Sequence, residues 1–298
     1  GSAITNSFAL FGQNTLHLTS KLDLTAGLRI TSEKKDANVY RDAPIGGNVY
    51  TKLPAVSGAW NSGELSTDKL SPSGLLGLSY RFTPTLLGYL SAGHGEKSGG
   101  FNINGVASGP TLGASSLRVD PEKADSAELG FKSTLFDRRL QFNANVYFSR
   151  ITGYQTNTYL INPLTNLPVS ALTNAGSVQS RGVEFELKAA PLRGLTVNAN
   201  GSYNDAHYQS FTRAPCSAEQ SAQGKTVCDL SGQVLNGAPK WTFKLGGQYE
   251  LGQIGKLRPY AAANYGWRSG SYGDLSNSRY SWIPSYGLLN LATGWRVK

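Results

Sequence analysis

The residues of this chain that could carry out catalysis are few and lie far apart. Its three histidines, His17, His94 and His207, fall in separate segments, and none has the spacing of a Ser-His-Asp triad or a His-Glu-x-x-His metal motif. Glu184 and Glu186 form a carboxylate pair in one alternating segment, but neighbouring acids of this kind suit a polar network better than acid–base catalysis. We therefore expect no enzymatic activity, no metal site and no cofactor.

Two cysteines offer a covalent link. Cys216 and Cys228 lie in the same polar segment and are the two cysteines of the chain. Cysteines this close in an exported protein most often form a local disulfide. The alternative is a metal pair, but His207 is the one histidine nearby that could add a ligand. We predict a disulfide.

A second group of residues combines positive charge with aromatic rings. Guanidinium groups make charge-assisted hydrogen bonds to anions, and aromatic faces bind cations and other rings. The residues in question lie in or beside polar segments in the last third of the chain: Arg213, Trp267, Arg268, Tyr272, Arg279, Tyr280 and Trp282. We predict that they contact a ligand. The alternative is that the rings form an interfacial girdle and the arginines remain solvated.

The elements that must position these residues are alternating segments, of which residues 122–155 are the clearest. Leu140, Phe142, Ala144, Val146 and Phe148 alternate with polar residues, which places the apolar set on one face of a strand. An alternating segment also precedes them, and the polar residues 136–139 between the two predict an antiparallel hairpin. The second strand has about 15 residues, whereas strands in soluble domains have ~5–6 and tilted membrane-spanning strands need ~9–11 in the hydrocarbon.

Hairpins of this kind recur along the chain, with short turns and long polar loops in alternation. Besides hairpins within 122–155 and 183–202, we predict strands over 4–18, 22–37, 69–82, 86–96, 239–250, 257–268 and 285–298. Long loops are predicted over 38–67, 97–121, 156–176, 210–237 and 269–284. About 11 long antiparallel strands in this arrangement are typical of an all-β transmembrane barrel with short periplasmic turns and long extracellular loops. The alternative is a soluble sandwich or adhesin with unusually long strands.

The composition agrees with a barrel and argues against some partners. The chain has 35 glycines and more tyrosine (15) than phenylalanine (11), which suits many turns and aromatic girdles. Its net charge is +9, but the lysines and arginines are scattered rather than clustered, so we expect no nucleic-acid partner. Anionic lipid headgroups or an anionic ligand fit the charge as well.

The strand count predicts that the barrel is incomplete. Single-chain bacterial barrels have an even number of strands with both ends in the periplasm, whereas about 11 strands starting at an outer end leave unpaired edges that lipid does not tolerate. The chain also opens without the basic and apolar regions of a signal peptide. We expect residues 1–298 to be one part of a longer barrel chain.

Several short motifs resemble those of the TonB-dependent outer-membrane receptors. These are SFALFGQ at 7–13 with LTAGLR at 24–29, KSGGFN at 97–102, PE at 121–122 with ELGFK at 128–132, NAG at 174–176 with RGVE at 181–184, and GAPK at 237–240. The resemblance covers nearly the whole chain. It implies a 22-stranded barrel occluded by an N-terminal plug, of which this chain is the central-to-late part, without the plug, the TonB box or the final strands.

The resemblance also implies a function and partners. It implies active uptake of a scarce ligand, most often a ferric siderophore, across the outer membrane with energy passed from the TonB complex through the absent plug. Outer-membrane lipid and lipopolysaccharide are the expected surroundings. A cobalamin or oligosaccharide ligand is an alternative within the family. Outside it, the alternatives are a passive porin and a structural or adhesin barrel.

Overall fold

A computed structural model of the protein describes residues 1–41, 59–103, 112–161 and 168–297. The main feature of the fold is one antiparallel sheet of eleven strands, which follow each other in the sheet in the same order as in the chain. The strands are β1 (Ser2–His17), β2 (Leu22–Arg41), β3 (Trp60–Thr83), β4 (Leu86–Lys97), β5 (Glu122–Leu135), β6 (Leu140–Thr152), β7 (Ser177–Leu192), β8 (Leu195–Ser210), β9 (Trp241–Glu250), β10 (Leu257–Arg268) and β11 (Tyr286–Val297). The predicted all-β architecture of about eleven long strands is confirmed.

One face of the sheet is apolar. Leu129 of β5 pairs with Val146 of β6, which in turn pairs with Val183 of β7. Their side chains are 57%, 48% and 46% exposed, so no other part of the described chain covers them. A contiguous uncovered apolar surface of this kind belongs against lipid or another apolar surface. We call it the apolar face.

The opposite face is polar and carries a hydrogen-bonded network. Asn143 and Asn145 of β6 donate to Glu186 and Glu184 of β7, each at 3.4 Å. The Lys188 ammonium lies 2.8 Å from Glu186. The predicted carboxylate pair therefore sits in a polar network, on what we call the polar face.

Short turns join the strands at one end of the sheet. Residues 136–139 turn between β5 and β6 with positive φ at Phe136, Asp137 and Arg138, the left-handed conformation in which a chain reverses tightly. Gly194, between β7 and β8, has φ +84°, and a Cβ there would lie 2.6 Å from the carbonyl oxygen of Glu250. Glycine is therefore required at this turn both for its backbone conformation and for the close approach of β9.

The longest strand differs from the prediction. We predicted a loop over 38–67 and a strand from 69, but β2 continues to Arg41 and β3 begins at Trp60. Leu65 pairs with Ala37 and Asn61 with Tyr40. Apolar residues of the extension, such as Val39 and Trp60, do not continue the regular alternation of the apolar band, and Ala37 and Val39 are buried. The extension therefore lacks the period-two pattern by which strands are recognised in sequence. Residues 42–58 of the predicted loop lie outside the described residues.

The other predicted loops also contain regular structure. The loop after β6 holds an antiparallel hairpin of Gln155–Ile161 with Pro168–Asn174, which corrects our prediction of a loop over 156–176; residues 162–167 lie outside the described residues. The loop after β4 contains the short pair Gly100–Phe101 and Arg118–Val119 and a 3-10 turn, Ala114–Leu117. The loop after β10 contains the pair Ser271–Tyr272 and Trp282–Ile283 and a 3-10 turn, Arg279–Ser281.

The loop after β8 contains the helix α1 (Ala218–Ala222). In the described part of the chain, no helix has both the length and the apolar character needed to cross a membrane.

A small buried core lies at the loop end of β7 and β8. Its members are Val178, Tyr208, Phe211, Ala214 and Leu230. A single curved sheet leaves both of its faces uncovered, so a core forms where the loop after β8, which we call the cysteine loop (residues 211–240), folds back over the strand ends. This core fixes the loop to the sheet.

Candidate functional site

Arg268 and Trp267 lie at the loop end of β10 but on opposite faces. Trp267 stands opposite Phe243 and Gly287 in the neighbouring strands, on the apolar face. Arg268 therefore lies on the polar face, where its guanidinium is 5.5 Å from the ring centroid of Tyr286 and donates to the hydroxyl of Ser271. The structure does not bring Trp267 together with the other predicted ligand residues.

Tyr272 and Trp282 form the next group. They face each other in the short strand pair of the last outer loop (residues 269–285), with ring centroids 5.0 Å apart in an edge-to-face arrangement. This pair begins three residues after the end of β10. The rings therefore stand directly beyond the Arg268–Tyr286 pair.

Arg279 and Tyr280 form the most exposed group. The guanidinium lies 4.8 Å from the ring centroid of Tyr280 and donates to its hydroxyl at 2.8 Å. The ring is 72% exposed. A cation stacked on an aromatic face offers an anionic or aromatic ligand two kinds of contact at one point.

Arg213 lies in the cysteine loop, where it meets the hairpin that follows β6. Its side chain is exposed, and its backbone carbonyl accepts a hydrogen bond from the backbone N–H of Tyr159 at 3.1 Å. The predicted ligand residues thus occupy three outer segments, with Arg268 at the base and Tyr280 at the surface.

Glu219 was not singled out from the sequence, yet it joins two of these segments. Its carboxylate accepts hydrogen bonds from the hydroxyl of Ser278 and the backbone N–H of Arg279, both at 3.0 Å, and the Arg279 Nε lies 3.4 Å away. The pKa of Glu219 is lowered to about 2, first by the hydrogen bond from its own backbone N–H, against the opposing effect of burial, and then by those from Ser217, Ser278 and Arg279. Glu219 is therefore ionised throughout the neutral and mildly acidic range.

The cysteine loop that carries Glu219 is held by several local bonds. Cys216 and Cys228 form a disulfide with an S–S distance of 2.06 Å. Ala214 and Cys228 exchange backbone hydrogen bonds of 2.9 and 3.0 Å. Helix α1 begins with a capping box, in which Ser217 and Gln220 bond each other's backbone N–H groups, a pairing that satisfies two otherwise free donors.

Lys35 forms a second junction, on the polar face at the loop end of β2. Its ammonium binds the hydroxyl of Ser98 at 2.6 Å, the carbonyl of Gly99 at 2.7 Å and the carboxylate of Glu33 at 2.9 Å. The Gln155 amide also donates to the carbonyl of Ser98, at 3.1 Å. The predicted motif at 97–102 is thus the point where β2, the loop after β4 and the hairpin after β6 meet.

The polar face below the outer segments forms a cleft of about 500 Å³. Lys132 and Lys244 line it together with Glu184 and Glu186. Asn143, Asn145, Ser202 and Tyr89 are among the other lining residues. The cleft opens along the sheet rather than being enclosed by it. This surface is hydrophilic and mixed in charge, as expected of a barrel interior.

The family model described as TonB dependent receptor-like, beta-barrel matches residues 1–298. The chain is 26% identical over 223 residues to the pesticin receptor of Yersinia pestis, covering 72% of this chain and 29% of that protein. It is 25% identical over 220 residues to the probable TonB-dependent siderophore receptor PiuA of Acinetobacter baumannii, covering 74% and 25%. The chain thus spans less than a third of the length of these relatives.

Solved structures show the same fold. The ferric yersiniabactin uptake receptor FyuA from Yersinia pestis superposes with a TM-score of 0.74 at 18% identity, over 99% of this chain and 39% of that one. The siderophore receptor PiuA from Acinetobacter baumannii superposes with a TM-score of 0.66 at 19% identity, over 99% and 37%. The apolar face is therefore the lipid-facing side of an outer-membrane barrel, the polar face is its interior, and the chain belongs to the TonB-dependent receptor-like β-barrel family of Gram-negative bacteria.

Proposed function

We propose that this protein is an outer-membrane receptor that takes up a ferric siderophore with energy supplied through TonB. The observation that carries the proposal is a row of two cation–ring pairs at the loop end of the sheet, Arg268 with Tyr286 at the ends of β10 and β11 and Arg279 with Tyr280 in the last outer loop. The names of the relatives, which include siderophore receptors, support the same ligand class.

The chemistry of the row suits a ferric chelate. Many such chelates carry negative charge on the oxygen atoms that bind iron and aromatic rings in the chelating groups. Guanidinium groups bind anionic oxygens in a planar, often bidentate geometry, and tyrosine and tryptophan rings stack on flat groups. We propose that Arg213, Arg268, Tyr272, Arg279, Tyr280 and Trp282 contact the ligand and that Trp267 contacts lipid.

We propose further that residues 1–298 form the central-to-late part of a 22-stranded barrel around a plug. β1 and β11 stand at the two ends of the sheet order, and a strand edge in lipid must be paired, so other strands of the barrel would lie beside them. The polar face would then pack against the plug, which would contact the TonB complex. Lipid would contact the apolar face, and lipopolysaccharide the outer strand ends.

The test is uptake by cells that carry or lack the gene. We would measure uptake of radioactive iron from ferric yersiniabactin and from a ferric catecholate chelate, with and without TonB. Loss of uptake both in the gene deletion and in the TonB-deficient strain is expected. Uptake that needs the protein but not TonB would indicate a passive porin. No effect of the deletion on iron, combined with an effect on cobalamin or oligosaccharide uptake, would replace the siderophore with that ligand.

A further inference from the structure

The carboxylate of Glu219, in the cysteine loop, binds two consecutive residues of the last outer loop. We infer that Glu219 is a positioning residue, which holds the Arg279–Tyr280 pair in place from a separate loop that the Cys216–Cys228 disulfide and the buried core make rigid. The structural part of this inference is independent of the ligand. The part that concerns ligand affinity rests on the proposed function.

The contacts of Glu219 fix the start of the 3-10 turn that presents the pair. Ser278 caps this turn and is only 4% exposed. Its hydroxyl donates a hydrogen bond to Glu219 Oε2. Glu219 Oε1 accepts the backbone N–H of Arg279. Two consecutive residues of the last outer loop are therefore bound through one side chain of the cysteine loop.

Glu219 is itself held firmly. It lies in the first turn of α1, inside the capping box formed by Ser217 and Gln220 and three residues after the disulfide-bonded Cys216. Phe211, Ala214 and Leu230 bury the base of the loop against Val178 of β7 and Tyr208 of β8. The backbone around Glu219 is thus held by the disulfide, by the capping box and by a buried loop base that packs on β7 and β8.

Further contacts also hold the cysteine loop and the last outer loop together. The side-chain amide of Asn277 donates to the carbonyl of Val234 at 2.8 Å. The backbone N–H of Gly237 donates to the carbonyl of Tyr272, also at 2.8 Å. Leu275 packs against the buried core.

The arrangement leaves Arg279 available to a ligand. Its side chain is 73% exposed, whereas that of Glu219 is 25% exposed. The backbone N–H of Arg279 and its Nε face Glu219, while the far side of the guanidinium contacts the ring and hydroxyl of Tyr280 and remains exposed to solvent. A cation and ring fixed in advance lose less conformational freedom when a ligand binds.

The decisive comparison is Glu219→Gln with Asp229→Asn. Both substitutions remove one negative charge from the cysteine loop, but Asp229 binds the backbone N–H of Ser231 within that loop. Hydrogen exchange of the purified protein would be measured over 276–282. We expect at least a several-fold faster exchange in Glu219→Gln, no change in Asp229→Asn, and unchanged exchange in β7 to β10 in both.

A second variant controls for the possibility that Glu219→Gln disturbs the whole cysteine loop. Ser278→Ala removes one of the donors to Glu219 from the opposite side and leaves the cysteine loop intact. It should speed exchange over 276–282 as well, in part because the Ser278 hydroxyl also accepts the backbone N–H of Tyr280. The double variant separates the two effects. If Ser278 and Glu219 act through their shared hydrogen bond, Ser278→Ala should speed exchange less in the Glu219→Gln background than in the wild-type protein. Exchange at the wild-type rate over these residues in both Glu219→Gln and Ser278→Ala would overturn the inference.

The direction in which Glu219→Gln changes the ligand affinity distinguishes a positioning role of Glu219 from a purely electrostatic one. Removing a carboxylate beside Arg279 strengthens binding of an anion if charge alone matters. If Glu219 positions the pair, Glu219→Gln should instead weaken the binding of ferric yersiniabactin by about fivefold, while Asp229→Asn binds it as tightly as wild type or more tightly.

Equal or tighter binding by Glu219→Gln would overturn the part of the inference that concerns the ligand. If the wild-type protein does not bind ferric yersiniabactin, the proposed ligand fails, and the exchange data still decide the role of Glu219.

Discussion

Trp267 and Arg268 are neighbours in the chain and end up in different environments. The end of β10 at Arg268 agrees with the end predicted from the sequence, so the alternation needed to separate the two residues was present in the sequence. It places Trp267 with Phe243 on the lipid side and Arg268 on the interior side. An aromatic or cationic residue near a strand end can belong to the site only if it lies on the interior face of its strand. The alternation of residues along the strand predicts which face that is.

We expect Arg268→Ala to weaken binding of the ferric chelate about tenfold or more, because a hydrogen-bonded charge pair typically contributes about 1.5–3 kcal/mol. Trp267→Phe should leave the affinity unchanged, since that ring lies on the apolar face. Titration of the purified protein with ferric yersiniabactin measures both. Equal losses of affinity in the two variants would contradict the assignment of the two residues to different faces.

The two faces of β6 provide a second expectation at the residue level. Val146→Lys should destabilise the barrel by about 2–4 kcal/mol if the residue lies near the bilayer midplane, because the charge would enter lipid. Asn145→Lys places the same charge on the polar interior and should have a small effect. Unfolding from lipid bilayers by denaturant gives both free energies. Similar costs for the two substitutions would be incompatible with a lipid-facing Val146.

At the level of elements, the alternation of residues predicted the parts of the strands that carry the apolar face. It did not predict the parts that extend beyond that face. In the N-terminal part of β3 and in the hairpin Gln155–Ile161 with Pro168–Asn174, apolar and polar residues do not alternate regularly, so the period-two pattern predicts no strand there. Backbone hydrogen bonding and contacts between loops hold these segments in place. The motif at 97–102 was recognised by resemblance, but its role as a junction with Lys35 depends on residues distant in sequence.

Gly99 tests this junction. A Cβ at Gly99 would lie 2.3 Å from the carbonyl oxygen of Val119, whereas a Cβ at Gly95 meets no atom within 4 Å. We expect Gly99→Ala to displace the loop after β4 and to speed hydrogen exchange at 97–101 and 155–157. Gly95→Ala is the matched control in the same segment and should change neither. Wild-type exchange in both variants would show that the close approach at Gly99 is not required.

The connection between the cysteine loop and the last outer loop should weaken as pH falls and should not change as pH rises above neutrality. Glu219 has an ordinary pKa of 4.5 and one of about 2 in the folded protein. A lowered pKa means that the carboxylate stabilises the connection fully above about pH 4.5 and that this contribution is lost as pH falls toward 2. Acrylamide quenching of Trp282 can be measured in a variant in which the other four tryptophans are replaced by phenylalanine. We expect this quenching to stay constant from pH 7 to 5 and to rise below pH 4.

The control for this pH dependence is Glu219→Gln, which has no group to titrate at this position. It should show strong quenching of Trp282 at every pH. A change in quenching between pH 7 and 5 in the wild-type protein would point to a different titrating group.

At the level of the whole molecule, the outer segments form a connected series. Lys35 and Gln155 join the first half of the sheet to the hairpin after β6, Tyr159 joins that hairpin to the cysteine loop, and Glu219 joins the cysteine loop to the last outer loop. Strand order and faces follow from local patterns in the sequence, so the fold could be predicted. These links could not, because each is made by a few polar contacts between residues far apart in the chain.

The size of the protein in the outer membrane tests the proposed place of this chain in a larger barrel. Residues 1–298 have a mass of 31.8 kDa, and eleven strands with two edges would need further strands and a plug to form a sealed receptor. An antibody raised against the chain should therefore detect, in isolated outer membranes, one protein of more than twice that mass. A band at 31.8 kDa itself would mean that the eleven strands close alone or by assembly of several copies, and a porin-like or structural role would then replace active uptake.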